Sequence, residues 1–424
     1  MSTTINQTIK ILYVCGIVPE WPVNLRPLPP LDSGAPHGNI LRLVEELART
    51  QYSHDIVIKV ISASSSEQYE TIIQRWPPST LQGDYSWVTI SLGLRKYSAW
   101  LFQHSSISFG LLNTFFGSYS LQAVAYLREL RRIYHEIKPN FVLLDDGPQY
   151  IRGLAHFVPQ EHLLFYCRGD MGSSRNFLHY PNLVLVTNKN LGHWVKKINP
   201  QVQRIAIVPN SLPYEFMAQD WDPSRFCKQR RNVLFVGRLN PVKGLHYLIQ
   251  AFARIQKEFK NTRLVIVGAE HPSGDNRKNV TEYENLVRTL AKNLLPPNSV
   301  EWKGWLSLEE LLKTYQDAYL AAYPSTCIEG FGMVALEAMA CGLPVIVSDQ
   351  PGFASIVSQG GGMIVKEPTN INDLSDALQY LLDNPIEAQR LGQEAYQIAR
   401  NYTVQQAMGS FTEAIKSIMN SINL

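Results

Sequence analysis

Several absences narrow this chain before any motif is read. Its five cysteines (Cys15, Cys167, Cys227, Cys327, Cys341) are odd in number and scattered, and no two form a C-x-x-C pair. That excludes a disulfide framework and a thiolate zinc site; Cys15, Cys167 and Cys341 sit in apolar runs and read as small core residues. No window of 18 apolar residues occurs, so nothing is expected to span a bilayer. The polar segment Met1 to Lys10 has no signal-like apolar stretch, which points to the cytoplasm. An excess of one charge sign is also missing. Lys and Arg number 39 against 36 Asp and Glu, a net +3, and no basic run interleaves with aromatics, so nucleic acid is not an expected partner. Neither half carries a full G-x-G-x-x-G, which argues against a nicotinamide enzyme.

What is present is an ordinary globular composition, 45% hydrophobic and 18% charged over 424 residues, enough for two medium domains. Short apolar strands alternate with helical periodicity in both halves. Strands are expected at Ile11–Cys15, 56–61, 141–144, 163–167, 183–187 and 205–208, with helices at 39–49 and 120–137. After a polar, charged connector at 217–231, a second series runs 233–237, helix 244–258, strand 264–268, helix 280–293, strand 318–323, a helix after Phe331 and strand 345–348. Helices near 371–383 and 386–400 and an amphipathic segment to about 418 close the chain. This alternation predicts an α/β protein with two parallel sheets, helices on both faces, and ligands outside the strands' carboxyl ends.

Two motifs carry the chemistry. In Ser325-Thr-Cys-Ile-Glu-Gly-Phe-Gly-Met-Val-Ala-Leu-Glu337, carboxylates Glu329 and Glu337 flank a Gly-Phe-Gly turn between a strand and an apolar helix. Isolated, such a pair reads as a helix cap and a solvated helix residue. In this context the glycines admit close approach to a ligand, the helix's first N–H groups suit a phosphate, and carboxylates accept from sugar hydroxyls. Glu337 stands in an otherwise apolar helix, where an ionised group needs a partner, a ribose hydroxyl pair or an internal Arg or Lys. In Phe235-Val-Gly-Arg-Leu-Asn-Pro-Val-Lys-Gly244, Arg238 and Lys243 follow a strand end and precede a helix, a reasonable diphosphate clamp.

These residues resemble the E-x7-E and G-R-L...K-G elements of the retaining glycosyltransferases of family 4. The resemblance is strong over residues 233–366. It implies the GT-B fold: two doubly wound Rossmann-like domains facing each other across a deep cleft. Residues 1–214 would be the acceptor-binding domain, with 401–424 packing back on it, and 215–400 the nucleotide-sugar-binding domain. Carried over, Glu329 would contact donor-sugar hydroxyls and Glu337 the ribose, and Arg238 with Lys243 would neutralise the diphosphate. Gly330, Phe331 and Gly332, with Met333 and Val334 opening the helix, would present backbone groups to sugar or phosphate. Gly237 and Gly268 end strands beside the ligand, and Trp305 and Leu306 occupy the nucleobase position, though Trp305 suits core packing equally.

In the first half, Ser33-Gly34-Ala35-Pro36-His37-Gly38 resembles the family's Gly-Gly loop, with Gly34 nearest the donor and Ala35 replacing the second glycine. His37 reads as an acceptor ligand or a plain loop residue. Where many members carry a histidine, this chain has Arg168-Gly169-Asp170: Arg168 would stabilise the departing phosphate and Asp170 orient the acceptor, or the two form a surface pair across a turn. Asp145 and Asp146, at a strand end, would bind acceptor hydroxyls; they make no DxD metal motif. The aromatic stretch 97–119 suits either a buried insertion or weak peripheral contact with a bilayer holding a lipid-linked acceptor.

The implied activity is transfer of a hexose, glucose or a relative, from a UDP-sugar to a saccharide or lipid-linked saccharide in polysaccharide or glycoconjugate synthesis. It would retain configuration and need no metal or other cofactor. The rivals are a non-catalytic sugar-nucleotide-binding subunit and another GT-B enzyme such as a sugar-phosphate synthase.

Overall fold

The computed structural model describes residues 8–15, 42–43, 46, 56–61, 63–64, 88–89, 121–169, 176–268 and 278–422. The chain divides into two units, Met1–Pro209 with Ala407–Leu424, and Asn210–Gln406.

The first unit is built on a parallel sheet of order β2-β1-β5-β6-β7-β8. Its strands are β1 (Ile9–Cys15), β2 (Ile56–Ile61), β5 (Phe141–Asp145), β6 (Leu163–Cys167), β7 (Leu183–Val186) and β8 (Ile205–Ile207). A separate parallel pair joins β3 (Ala63–Ser64) to β4 (Val88–Thr89). Every residue of Phe-Val-Leu-Leu-Asp in β5 and Leu-Leu-Phe-Tyr-Cys in β6 is buried. Such unbroken apolar runs suit a sheet covered on both faces. Parallel neighbours need helical crossovers, here α1 (Leu121–Ile137) and α2 (Lys189–Ile198). Asn188 caps α2 by accepting from the Leu191 amide at 2.9 Å, which satisfies one of the helix's orphan donors.

The second unit repeats the plan with β9 (Arg231–Val236), β10 (Thr262–Val267), β11 (Val300–Gly304), β12 (Leu320–Tyr323), β13 (Val345–Ser348) and β14 (Gly362–Val365). Its helices are α3 (Leu245–Ile255), α4 (Lys278–Leu294), α5 (Leu308–Asp317), α6 (Met333–Ala340), α7 (Pro351–Val357), α8 (Ile371–Asp383) and α9 (Pro385–Ala399). The strand order is β11-β10-β9-β12-β13-β14, all parallel. Winding runs outward one way from β9 and the other way from β12. The connections leaving these two central strands therefore cross opposite faces of the sheet, which makes their junction the topological switch point.

The segment expected as a polar connector is anchored. Asp222 caps the short turn Pro223–Cys227, and within it Arg225 and Phe226 are buried. Phe226 lies in the second unit's core, with Trp221 packed against it. The hydrophobic residues are too few and too irregularly spaced there to show periodicity. After α9 the chain enters α10 (Val404–Ile422). Ala407, Met408, Phe411, Ala414, Ile415 and Ile418 of that helix share a core with Ile9, Ile11, Phe141 and Leu164 of the first sheet. Among the described residues no helix is long and apolar enough to cross a membrane.

Candidate functional site

At the carboxyl end of the second sheet the strand exits are stepped so closely that glycine is required. The Gly237 amide donates to Val267 O (3.0 Å), and the Gly268 amide to Gly304 O (2.9 Å). Gly268 has φ of 145°, and a Cβ there would stand 1.9 Å from Gly237 O, so no side chain fits. Beyond Gly237, Arg238 is exposed. The Asn240 side chain accepts from the Val242 amide at 3.1 Å and fixes the turn Pro241–Lys243 that leads into α3.

This loop is bound to the one leaving β12. The Val242 carbonyl accepts from the Thr326 amide (2.8 Å), the Ser325 hydroxyl (3.1 Å) and the Thr326 hydroxyl (3.3 Å). One residue further on, Lys243 Nζ meets Glu329 Oε2 at 2.6 Å, with about a fifth of each side chain exposed (21% and 20%). The two motifs, 86 residues apart in sequence, thus meet at the switch point.

Behind Glu329 the loop is wedged in place. The Gly352 amide, at the start of α7, donates to Glu329 O at 2.7 Å. Phe331 is buried, its ring edge-on to Tyr402 with centroids 5.7 Å apart. Gly332 stands at the N-cap of α6 and, having no side chain, cannot cap it; the positive end of the helix dipole lies at this turn. Met333 and Val334, in its first turn, are half-buried.

α6 is apolar on every side, with Ala335, Leu336, Ala338, Met339 and Ala340 buried. Glu337 is its one ionisable residue. Its carboxylate receives the Tyr315 hydroxyl at 3.1 Å, a donor from α5. Burial pushes the hydroxyls of Tyr315 and Tyr323 well above the usual tyrosine range, so both remain protonated. Trp305 is 47% exposed and is not a core residue, while Leu306 packs against the core.

In the first unit, Asp145 ends β5 at the switch between β1 and β5 and is 3% exposed. Arg168 grips its carboxylate with Nε at 2.7 Å and Nη2 at 2.9 Å, and the Tyr13 hydroxyl donates to the same group. The Arg168 guanidinium lies over the Tyr166 ring, 3.7 Å from its centroid. Arg168 is therefore buried with Asp145, a partner on the neighbouring strand, instead of standing in a surface pair, and Asp145 is already engaged by three donors. Asp146 holds a left-handed φ of 60°, and its carboxylate accepts from the Gly147 amide at 2.9 Å. Gly34, His37, Asp170 and the stretch 97–119 lie outside the described residues. The residues that sequence reasoning passed over are Tyr315, Thr326 and Gly352. A lone tyrosine, threonine or glycine has no spacing that marks it, and each acquires its role only through a partner distant in sequence.

Residues 219–398 match the family model of glycosyl transferases group 1. Lipopolysaccharide 1,2-N-acetylglucosaminetransferase of Salmonella typhimurium is 32% identical over 186 residues, 41% of this chain and 47% of that protein. D-inositol 3-phosphate glycosyltransferase of Corynebacterium glutamicum is 34% identical over 173 residues, 40% of each chain. The chain thus matches about half or less of the length of these curated relatives. Likeness to solved structures extends over nearly the whole chain. Sucrose-phosphate synthase from Thermosynechococcus elongatus superposes with a TM-score of 0.70 at 17% identity, covering 97% of this chain and 100% of that one. Anabaena HepE in complex with UDP and glucose gives 0.64 at 17% identity, covering 96% and 100%. At such identities the likeness shows the fold alone, which is GT-B.

Proposed function

We propose that this chain, which belongs to the glycosyl transferases group 1 through residues 219–398, moves a hexose from a UDP-sugar to a saccharide or lipid-linked saccharide acceptor. The observation that carries the reading is the meeting of Lys243 and Glu329 at 2.6 Å, beside the uncapped start of α6. A cation and a carboxylate at one strand switch match a diphosphate joined to a sugar: the ammonium takes the phosphate oxygens and the carboxylate takes sugar hydroxyls. HepE, of the same fold, is known in complex with UDP and glucose, which supports a UDP-sugar here.

In this reading the donor diphosphate lies against the start of α6, with Arg238 and Lys243 as counter-charges. Glu329 exchanges Lys243 for hydroxyls of the hexose, and Glu337 accepts from the ribose. As the glycosidic bond to the diphosphate lengthens, negative charge grows on the departing oxygen, where these groups stabilise it. Preorganised donors of this kind are worth roughly 3–4 kcal/mol each in a transition state. The acceptor hydroxyl attacks from the face the diphosphate leaves, and its proton passes to the departing oxygen, so configuration is retained without a metal.

The test is nucleotide release from UDP-, GDP- and ADP-sugars, with and without chelator, using Glu329→Ala as control. Slow hydrolysis of one donor that survives chelator and is lost in the variant supports the proposal. Binding without turnover in the presence of acceptors would mark a sugar-nucleotide-binding subunit instead, and neither binding nor turnover would overturn the reading.

A further inference from the structure

We infer that Tyr315 is a positioning residue that orients the Glu337 carboxylate and thereby sets the preference of the nucleotide site for an intact ribose. The inference rests on the proposed function, in which Glu337 accepts from ribose hydroxyls. α6 gives its one carboxylate no ionic partner from within the helix: its sequence is Met-Val-Ala-Leu-Glu-Ala-Met-Ala. A carboxylate on so apolar a helix keeps a single orientation only if a neighbouring element supplies a donor.

Tyr315 supplies one from α5. Its side chain is fully buried, with the ring set edge-on against Phe216, centroids 5.8 Å apart and planes at 73°. Its own carbonyl accepts from Nη1 of the buried Arg225 at 3.3 Å. The ring has no room to swing, so the hydroxyl is delivered to one point. That point is 3.1 Å from Glu337 Oε2 and 3.4 Å from Val334 O, spanning the first turn of α6 and the carboxylate one turn further on. The hydroxyl also stays protonated across the working pH range, because burial holds it well above the usual tyrosine range. It is a permanent neutral donor, and it brings no cation that would compete with a ribose hydroxyl for the carboxylate's charge.

The experiment measures calorimetric affinities of the full chain for UDP, 2′-deoxy-UDP and 3′-deoxy-UDP in four proteins: wild type, Tyr315→Phe, Glu337→Ala and the double variant. Wild type is expected to prefer UDP over at least one deoxy analogue. Tyr315→Phe should weaken UDP about tenfold, the scale of one lost hydrogen bond to a charged group, and shrink that preference. It should also raise the donor KM while leaving kcat nearly unchanged. In the Glu337→Ala background the tyrosine substitution should add nothing. Tyr319→Phe is the control for generic loss of a buried hydroxyl, since that group donates to Leu381 O at 3.2 Å and faces another core; it should lower stability without moving the ratio. If Glu337→Ala narrows the preference and Tyr315→Phe behaves like Tyr319→Phe, the positioning role is overturned and the site reading stands. If Glu337→Ala leaves UDP binding unchanged, or wild type binds no UDP, the site reading itself fails and takes the inference with it.

Discussion

Lys243 and Glu329 partner each other at 2.6 Å with neither deeply buried, so their pairing contributes about 1 kcal/mol or less to stability. Their removal is therefore expected to separate function from fold. Glu329→Ala should cut turnover by on the order of a hundredfold to a thousandfold, while the thermal midpoint, followed by circular dichroism, moves by only a few degrees. Asp145 and Arg168 make the opposite case. Their ion pair is buried, at 3% and 7% side-chain exposure, and Asp145→Ala would strand a buried guanidinium. Breaking such a pair costs roughly 3–5 kcal/mol, so denaturant melts should show a large loss of stability in the first unit. The histidine at 246 gives a pH prediction. Its ring meets the Tyr283 hydroxyl through Nδ1 at 2.8 Å and lies against Tyr247, and burial lowers its pKa below the ordinary 6.5. Below that value the unfolded chain takes up a proton that the folded chain resists, so this contribution is complete above about pH 6.5 and is lost as pH falls. Melts between pH 7 and pH 5 should slope less steeply in His246→Gln than in wild type.

At the scale of elements, loop placement depends on contacts that only glycine permits. A Cβ on Gly352 would lie 2.4 Å from Phe331 N and 2.6 Å from Glu329 O, both backbone atoms that cannot swing aside. Gly352→Ala should therefore displace the Glu329 loop, raising donor KM in steady-state assays even where the protein remains folded. Much of this organisation was legible in sequence. Unbroken apolar runs marked the central strands β5, β6, β9 and β12, and the glycines of 237–244 and 330–332 marked the loops that follow two of them. The edge strands β11 and β14 were not legible. Val-Glu-Trp-Lys-Gly in β11 is half-buried throughout, and its charges break the run, as they do on edges that must resist pairing. Nor does sequence spacing reveal that Ser325 and Thr326 hold the Val242 carbonyl. That contact depends on β9 and β12 being neighbours, a consequence of winding order rather than of local pattern.

Over the whole molecule, the chain leaves its first unit after Pro209 and comes back to it at Ala407. The second unit is continuous, carries its own core and is expected to stand alone. The fragment Asn210–Gln406 should give a cooperative thermal transition. A chain ending at Gln406 should instead bind hydrophobic dyes and aggregate, because it uncovers the apolar surface that Phe411, Ile415 and Ile418 fill. That returning helix also fixes an order of events during synthesis. Protein domains generally fold in the order they emerge from the ribosome, yet here the unit begun first cannot close until the last helix has been translated. The nascent chain must carry an unfinished first core through the making of the entire second unit, which makes that interval the period when chaperones have most to shield.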